Sequence, residues 1–158
     1  MKNLLIVESP TKVKSIQKFL GNEYKVLASV GHVRDLIASG GKGIDVEKDY
    51  KPVWKVSNGK KDVIDEIKKF SKDADTVYFA TDPDREGEAI SKHIYDILDK
   101  AKLLKDKKTY RVAFNEITEA AVKSALENPR QISHDLWNAY VARRTLDYLM
   151  GYDISEFL

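Results

Sequence analysis

Short apolar runs alternate with segments of helical spacing along this chain. The run at Asn3–Val7 is continuous, which is typical of a strand buried on both faces of a parallel sheet. Further strands are predicted at Tyr24–Val30, Thr76–Ala80 and Thr109–Phe114, with a short one around Val53–Val56. The strands alternate with helices in the order β-α-β, which predicts an α/β fold.

Apolar residues recur at helical spacing in five segments. The Ser9-Pro10 pair suits the start of the first helix, and Gly21 suits its end. The apolar positions of the first three helices are Val13, Ile16, Phe19 and Leu20; Val63, Ile64, Ile67 and Phe70; and Ile90, Ile94, Ile97 and Leu98. A fourth helix is predicted from about Thr118, and a fifth over Ser133–Met150, ended by Gly151.

Three carboxylates follow the strand predicted at Thr76–Ala80. Asp82, Asp84 and Glu86 occupy alternate positions where that strand gives way to a helix. Carboxylates this close repel and raise one another's pKa, so proteins usually neutralise them with a hard cation bound through oxygen ligands. The simplest interpretation is a Mg²⁺ site.

Two other interpretations compete for the acidic segment. A solvated run of charge is the commonest meaning of acidic residues in a loop. An EF-hand calcium loop is suggested by Gly87, which falls at position six when counting starts at Asp82. That loop needs a bidentate Glu at position twelve, where this chain has His93, and a helix before it, where a strand is predicted. The EF-hand interpretation is therefore excluded.

Glu8 follows the first predicted strand as the acidic segment follows a later one. In an open parallel sheet, ligands bind beyond the carboxyl ends of the strands, so Glu8 and Asp82 are expected to meet in one crevice. Taken alone, a Glu at a strand end is more often a surface charge than a catalytic group. Lys12 favours a catalytic role for Glu8, because it adds a positive charge near a helix start that already favours phosphate.

Composition narrows the class of protein. The 158 residues, 42% hydrophobic and 33% charged, suit a soluble globular chain with one domain and a substantial core. No apolar run approaches the roughly 20 residues of a membrane helix, and Glu8 interrupts the first run too early for a secretory signal. The absence of cysteine excludes disulfides and thiolate zinc sites, and it fits a reducing cytoplasm. The net charge of +2 permits nucleic-acid binding without identifying it.

Five motifs, taken in order, resemble a known family. They are Glu8-Ser9-Pro10-Thr11-Lys12, Gly31-His32-Val33-Arg34-Asp35-Leu36, Asp82-Pro83-Asp84-Arg85-Glu86-Gly87-Glu88, Arg111-Val112-Ala113-Phe114-Asn115-Glu116-Ile117-Thr118 and Ala142-Arg143-Arg144-Thr145-Leu146-Asp147. Over essentially the whole chain they resemble the N-terminal part of the bacterial type IA DNA topoisomerases. The resemblance implies a Toprim fold, a Rossmann-like, mainly parallel four-stranded sheet flanked by helices, over residues 1–132. Residues 133–158 would then be the start of a helical DNA-binding domain.

The family relaxes negatively supercoiled DNA without ATP. It cleaves one strand, holds the 5′ end as a phosphotyrosine, passes another strand through the break and reseals it. The resemblance implies that Glu8, Lys12 and Arg111 act at the scissile phosphate, with Glu8 transferring a proton at the 3′ oxygen. It implies Mg²⁺ as the cofactor. The implied Mg²⁺ ligands are Glu8, Asp82, Asp84 and Glu86.

The resemblance also implies contacts with single-stranded DNA. The implied DNA-binding residues are His32, Arg34, Arg85, Arg143 and Asp147. Spacing alone gives the last two a simpler meaning, an i,i+4 ion pair on the final helix. Trp137, Tyr140 and Tyr148 could stack on bases, although aromatic residues at helical spacing more often belong to the core.

The nucleophile of the family has no counterpart in this sequence. None of the eight tyrosines lies in the Tyr-x-Arg-Thr context that the family uses. The chain alone is therefore expected to be inactive, with DNA and the rest of a topoisomerase chain as its partners, no membrane contact and a monomeric state. Three alternatives stay open: a nuclease or primase of the Toprim type, a reverse gyrase, which the start at Met1 disfavours, and a non-enzymatic nucleic-acid-binding module.

Overall fold

Four parallel strands form the central sheet of the computed structural model, which describes residues 2–36, 44–45, 51–52, 54–57 and 59–157. The described strands are β1 Asn3–Val7, β2 Tyr24–Ala28, β3 Arg34–Leu36, β4 Ile44–Asp45, β5 Lys51–Pro52, β6 Trp54–Val56, β7 Thr76–Phe79 and β8 Lys108–Arg111. The described α-helices are α1 Pro10–Leu20, α2 Lys61–Asp73, α3 Arg85–Lys100, α4 Glu119–Glu127 and α5 His134–Phe157. The sheet order is β2-β1-β7-β8 and every neighbouring pair is parallel, which confirms the predicted fold class.

Side chains of β1 enter two separate parts of the core. Leu4 and Ile6 pack with residues of α2 and α3, whereas Leu5 and Val7 pack with residues of α1 and α4. Successive side chains of a strand point to opposite faces of its sheet, so helices cover both faces. The continuous apolar run of β1 has this cause, and it confirms the prediction of a strand buried on both faces.

The chain changes direction across the sheet at β1. From β1 it passes through α1 to β2 on one side, and it later returns through α2 to β7 on the other side of β1. Connections that leave in opposite directions open a crevice beyond the carboxyl ends of the two central strands. The residues that follow β1 and β7 therefore face the same opening.

Several element boundaries differ from the predicted ones, and three of them have a clear physical cause. β2 ends at Ala28, because Val30 has a left-handed backbone with φ of 56° that cannot continue a strand. β8 ends at Arg111, since its neighbour β7 stops at Phe79 and leaves the next residues without a parallel partner. α5 continues through Gly151 to Phe157, so the predicted end was wrong. A helical glycine costs only about 1 kcal/mol relative to alanine and does not by itself end a helix.

The long connection between β2 and α2 contains two short antiparallel pairs. β3 pairs with β6, and β4 pairs with β5. The strand predicted around Val53–Val56 is confirmed as β6, while Val53 itself lies outside the described residues. None of the helices in the described part of the chain has the length and apolar character that crossing a membrane requires.

Val30 offers a test of the strained turn after β2. A branched residue in the left-handed region costs about 1–2 kcal/mol, whereas glycine adopts it freely and loses about 0.5–1 kcal/mol of chain entropy. We therefore expect Val30→Gly to raise the free energy of unfolding in urea by up to about 1 kcal/mol. Val56 is as exposed as Val30, at 45% and 46%, but lies in a strand, so Val56→Gly should destabilise. An equal loss of unfolding free energy in both variants would contradict backbone strain at Val30.

Candidate metal and phosphate site

Glu8 and Asp82 meet beyond the carboxyl ends of β1 and β7. The backbone N–H of Asp82 donates a hydrogen bond to Glu8 Oε1 over 3.1 Å. The backbone of Glu8 is held in turn by Gly31, whose N–H donates to the Glu8 carbonyl over 3.1 Å. The structure thus brings Glu8 and Asp82 together at the sheet edge that the strand ends predict, and two segments fix the position of Glu8 there.

The pKa of the Glu8 carboxyl is raised above its ordinary value. Burial is the largest cause, and the hydrogen bond from the Asp82 backbone opposes it. The negative charges of Asp82 and Asp84 raise the pKa further, and the positive charge of Lys12 lowers it. A carboxyl group with a raised pKa is better suited to exchanging a proton near neutral pH.

Lys12 brings positive charge into the same crevice. It lies in the first turn of α1, which Ser9 caps by accepting a hydrogen bond from the N–H of Thr11. Lys12 Nζ lies 2.8 Å from Asp82 Oδ1, and both side chains are partly exposed. The lysine therefore faces the acidic segment at a helix end that also favours an anion.

Asp84 and Glu86 begin α3 and have separate partners. Asp84 is the N-cap residue of the helix, and its Oδ1 accepts a hydrogen bond from the N–H of Gly87 over 2.7 Å. Glu86 Oε2 lies 3.1 Å from His32 Nε2, and Glu86 Oε1 lies 3.8 Å from Arg85 Nε. Local backbone structure and neighbouring side chains thus already engage both carboxylates.

The predicted magnesium ligands do not form a closed cluster. Among the residues that the structure describes, no group of three or more acidic or histidine side chains is arranged to hold a metal ion. Each carboxylate of the acidic segment instead engages a partner from the protein itself. The donor set still fits Mg²⁺ chemically, since it consists of carboxylate oxygens on one short segment beside Glu8.

Arg111 lies beneath the acidic segment and not on its open side. Its guanidinium is fully buried, and its Nε donates to Glu88 Oε1 over 2.8 Å. Its other two nitrogens donate to the backbone carbonyls of Phe79, Thr81, Asp82 and Val112. The resemblance implies a place near the scissile phosphate, but the structure commits these donors to the protein. The bond to the Asp82 carbonyl, 2.6 Å long, makes Arg111 a support of the acidic segment.

Three of the basic residues expected near DNA, His32, Arg34 and Arg85, have different surroundings. His32 touches Glu86, and its ring stacks on that of Tyr140 with centroids 5.8 Å apart. Arg34 is largely buried, and it donates to His93 Nδ1 over 2.5 Å and to Asp96 Oδ2 over 2.9 Å. It thereby fastens β3 to α3. Arg85 stays exposed at the start of α3, beside the acidic segment.

Arg143 and Asp147 form the ion pair that their spacing predicts. Arg143 Nε lies 3.2 Å from Asp147 Oδ2, and both side chains are exposed on α5. The helix that carries them packs on α3, where the His93 ring meets Trp137 edge-on at 5.1 Å and Tyr140 at 6.0 Å. These two aromatic residues therefore serve the packing of α5. The side chain of Tyr148 lies outside the described part of the chain.

The sequence patterns did not predict a role for Glu88 or Arg130 in this site. Glu88 is fully buried in α3, and it accepts hydrogen bonds from both Arg111 and Arg130. No spacing rule pairs residues that are 23 and 42 positions apart. The available signal is a charged residue between Gly87 and Ala89, a small-residue context typical of close packing. Burial raises the Glu88 pKa, but Arg130, Arg111 and a backbone N–H outweigh it and hold the pKa below the ordinary value of 4.5.

Comparisons with known proteins place this arrangement in context. A family model described as the Toprim domain matches residues 3–117. DNA topoisomerase 1 of Xylella fastidiosa is 50% identical over 157 residues, a match that covers 99% of this chain and 19% of that protein. The structure of full-length topoisomerase I from Thermotoga maritima aligns with a TM-score of 0.84 and 42% identity, covering 96% of this chain and 25% of that one. The chain thus spans only a minor part of the length of either relative.

Proposed function

The chain belongs to the Toprim family, and from that premise we propose that it forms the metal- and phosphate-binding part of a type IA DNA topoisomerase. The observation that carries the proposal is the meeting of Glu8, Lys12 and Asp82 in one crevice between β1 and β7. The near-complete coverage of this chain by topoisomerase I relatives supports it. As the whole protein, the topoisomerase would relax negatively supercoiled DNA without ATP.

The residues of the crevice have complementary roles in this proposal. Asp82, Asp84 and Glu86, with Glu8 beside them, would hold Mg²⁺. Bound there, the ion would stabilise negative charge on the phosphate and its oxygens. Glu8 would give a proton to the 3′ oxygen on cleavage and take one back on rejoining. Lys12 attracts the phosphate.

Arg111 acts from below the crevice in this proposal. Its buried guanidinium holds the Asp82 carbonyl, so that it places the acidic segment and does not touch the phosphate. This is a positioning role, and it replaces the direct contact that the family resemblance implies. The positive charge of Arg111 also lies close enough to favour the charged form of Glu88.

DNA and the rest of a topoisomerase chain are the proposed partners. Residues 1–132 form the Toprim domain, and residues 133–158 begin a helical DNA-binding domain in this proposal. The exposed Arg143–Asp147 pair, together with His32 and Arg85 beside the acidic segment, contacts a single-stranded region. Arg34 contributes indirectly, by holding β3 on α3. A cytoplasmic monomer is the state that we propose.

Relaxation of a negatively supercoiled plasmid tests this function. In the full-length protein that contains this chain, with Mg²⁺ and without ATP, we expect relaxed closed circles. Glu8→Gln should slow relaxation about 10²–10⁴-fold, because general acid–base groups contribute on that scale. Glu119→Gln, which removes the same charge from an exposed pair with Lys123, should keep the wild-type rate.

Two outcomes would overturn the proposal. One is relaxation by Glu8→Gln at the wild-type rate. The other is the accumulation of nicked or linear DNA in place of closed topoisomers, because a nuclease of the Toprim type leaves free ends. Product circles are separated from nicked and linear forms by electrophoresis with an intercalating dye, so both outcomes are read from one gel.

A further inference from the structure

Glu88 is a buried carboxylate that joins three segments of the chain. It lies in the first turns of α3 with no exposed surface. Its Oε1 accepts hydrogen bonds from Arg111 and from Arg130, and its Oε2 accepts one from the backbone N–H of Ser133 over 2.9 Å. A fully buried carboxylate with three donors has a fixed position, because a turn in any direction breaks a charge-assisted hydrogen bond.

Arg111 connects Glu88 to the acidic segment. Arg111 bonds Glu88 with its Nε and bonds the carbonyl of Asp82 with a terminal nitrogen over 2.6 Å. The planar guanidinium holds both acceptors in one geometry. The carbonyl of Thr81 is bound by the same group over 2.6 Å. The backbone from which the Asp82 carboxylate projects is therefore placed relative to Glu88.

Arg130 and Ser133 connect Glu88 to the start of α5. Arg130 pairs with Arg111 through two backbone hydrogen bonds, of 2.7 and 2.9 Å, and its side chain returns to Glu88. Ser133, held by its N–H, caps α5 by accepting a hydrogen bond from the N–H of Leu136 over 3.2 Å. Glu88 thus fixes the point from which the helix carrying Arg143 departs.

We propose that Glu88 is a positioning residue that fixes the acidic segment and the start of α5 relative to each other. A cation bound by the segment and a DNA strand bound by α5 are thereby kept in a fixed relative position. The inference rests on the proposed function for the identity of these two ligands. It assigns to Glu88 and Arg130 a part in the site that neither spacing nor exposure indicates. Neither residue touches the ligands themselves.

A magnesium titration of the 158-residue chain, followed through its amide resonances, tests the link. We expect Mg²⁺ to shift the resonances of the acidic segment, residues 82–87, and with them the amide of Ser133. Arg130→Met keeps the buried Glu88–Arg111 pair, so it should fold, yet it should raise the half-saturating Mg²⁺ concentration about tenfold. Replacing a residue that orients metal ligands without coordinating the metal itself typically costs 10- to 100-fold in metal affinity.

Two further variants sharpen the test. Glu88→Gln should abolish the Mg²⁺-dependent shift of Ser133, and its spectrum reports directly whether it folds. Lys123→Met removes a cation from an exposed pair and should change neither the affinity nor the shift. A residue with a merely structural role would lower the melting temperature and leave the Mg²⁺ affinity of the folded chain unchanged.

The outcomes separate this inference from the proposed function. An unchanged Mg²⁺ affinity in Arg130→Met, or the absence of any Ser133 shift in the wild-type chain, overturns the positioning role even if the full-length protein relaxes DNA in a Glu8-dependent manner. Conversely, a tenfold loss in Arg130→Met with a coupled Ser133 shift supports the positioning role even if no relaxation is found. In that case only the proposed function fails.

Discussion

Replacing Gly87 with alanine should destabilise the protein by about 3 kcal/mol, although the same change in most helices is stabilising. Gly87 lies in the first turn of α3, packed against the backbone of Asp82. A Cβ atom there would lie 2.7 Å from the carbonyl carbon of Asp82, 2.9 Å from its nitrogen and closer still to its oxygen. These are backbone atoms, so no side-chain rotation relieves the contact.

The acidic segment has little freedom to move away from an added methyl group. The N–H of Gly87 is bound by Asp84, and its carbonyl accepts a hydrogen bond from Thr81 Oγ1 over 2.5 Å. Arg111 donates a hydrogen bond to the carbonyl of Asp82 and so holds it in place. We therefore expect Gly87→Ala to shift the whole segment, with a loss of free energy of unfolding in urea and of Mg²⁺-induced amide shifts.

The helix α4 provides a matched control for this substitution. Ala121 occupies the same position after its N-cap, Thr118, as Gly87 does after Asp84, and its N–H bonds the capping oxygen over 3.2 Å. Alanine is thus tolerated at this helical position, and Ala121→Gly should cost about 1 kcal/mol. A Gly87→Ala protein as stable as the wild type, or more stable, would mean that propensity decides and that the close approach to Asp82 does not exist.

The meeting of Glu8 and Asp82 was predictable because it depends on topology. A continuous apolar run identifies a strand, strands separated by helices run parallel, and the ends of parallel strands lie at one edge of the sheet. Each step follows from a local pattern in the sequence. The N-cap at Ser9 and the end of α1 at Gly21 were likewise predictable, since both depend on residues that are adjacent in the chain.

The partners within the site were not predictable in this way. Asp82 engages Lys12 from α1, and Arg111 on β8 engages Glu88 from α3, through distances that only the tertiary packing of these elements establishes. The sequence shows an arginine within a predicted strand, but not whether its side chain faces the crevice or the core. The predicted end of α5 was wrong for a related reason. Glycine weakens a helix only slightly, so packing decides whether the helix continues.

Replacing Arg111 with methionine should lower the free energy of unfolding by about 3–5 kcal/mol, the usual cost of breaking a buried ion pair. Methionine fills a similar volume but donates no hydrogen bond. Glu88 would keep Arg130 and the N–H of Ser133, but it would lose the only one of its two arginine partners that is fully buried. The carbonyls of Thr81 and Asp82 would lose the donor that the guanidinium gives them.

Thermal unfolding of the chain measures this loss directly. At about 2–4 °C per kcal/mol for a protein of this size, the midpoint should fall by about 10 °C. Arg143→Met is the control with the same change of side chain, at a position where 60% of the side chain is exposed and the partner is Asp147 one helical turn away. That variant should lose no more than about 0.5 kcal/mol.

The comparison of the two arginine variants decides between two roles for Arg111. An arginine that touches the scissile phosphate would be dispensable for folding, and Arg111→Met would melt like the wild type while the full-length protein lost activity. An arginine that supports the acidic segment from below costs stability when it is removed, whether or not DNA is present. Because the guanidinium has no exposed surface and all three of its nitrogens donate to protein acceptors, we expect the second result.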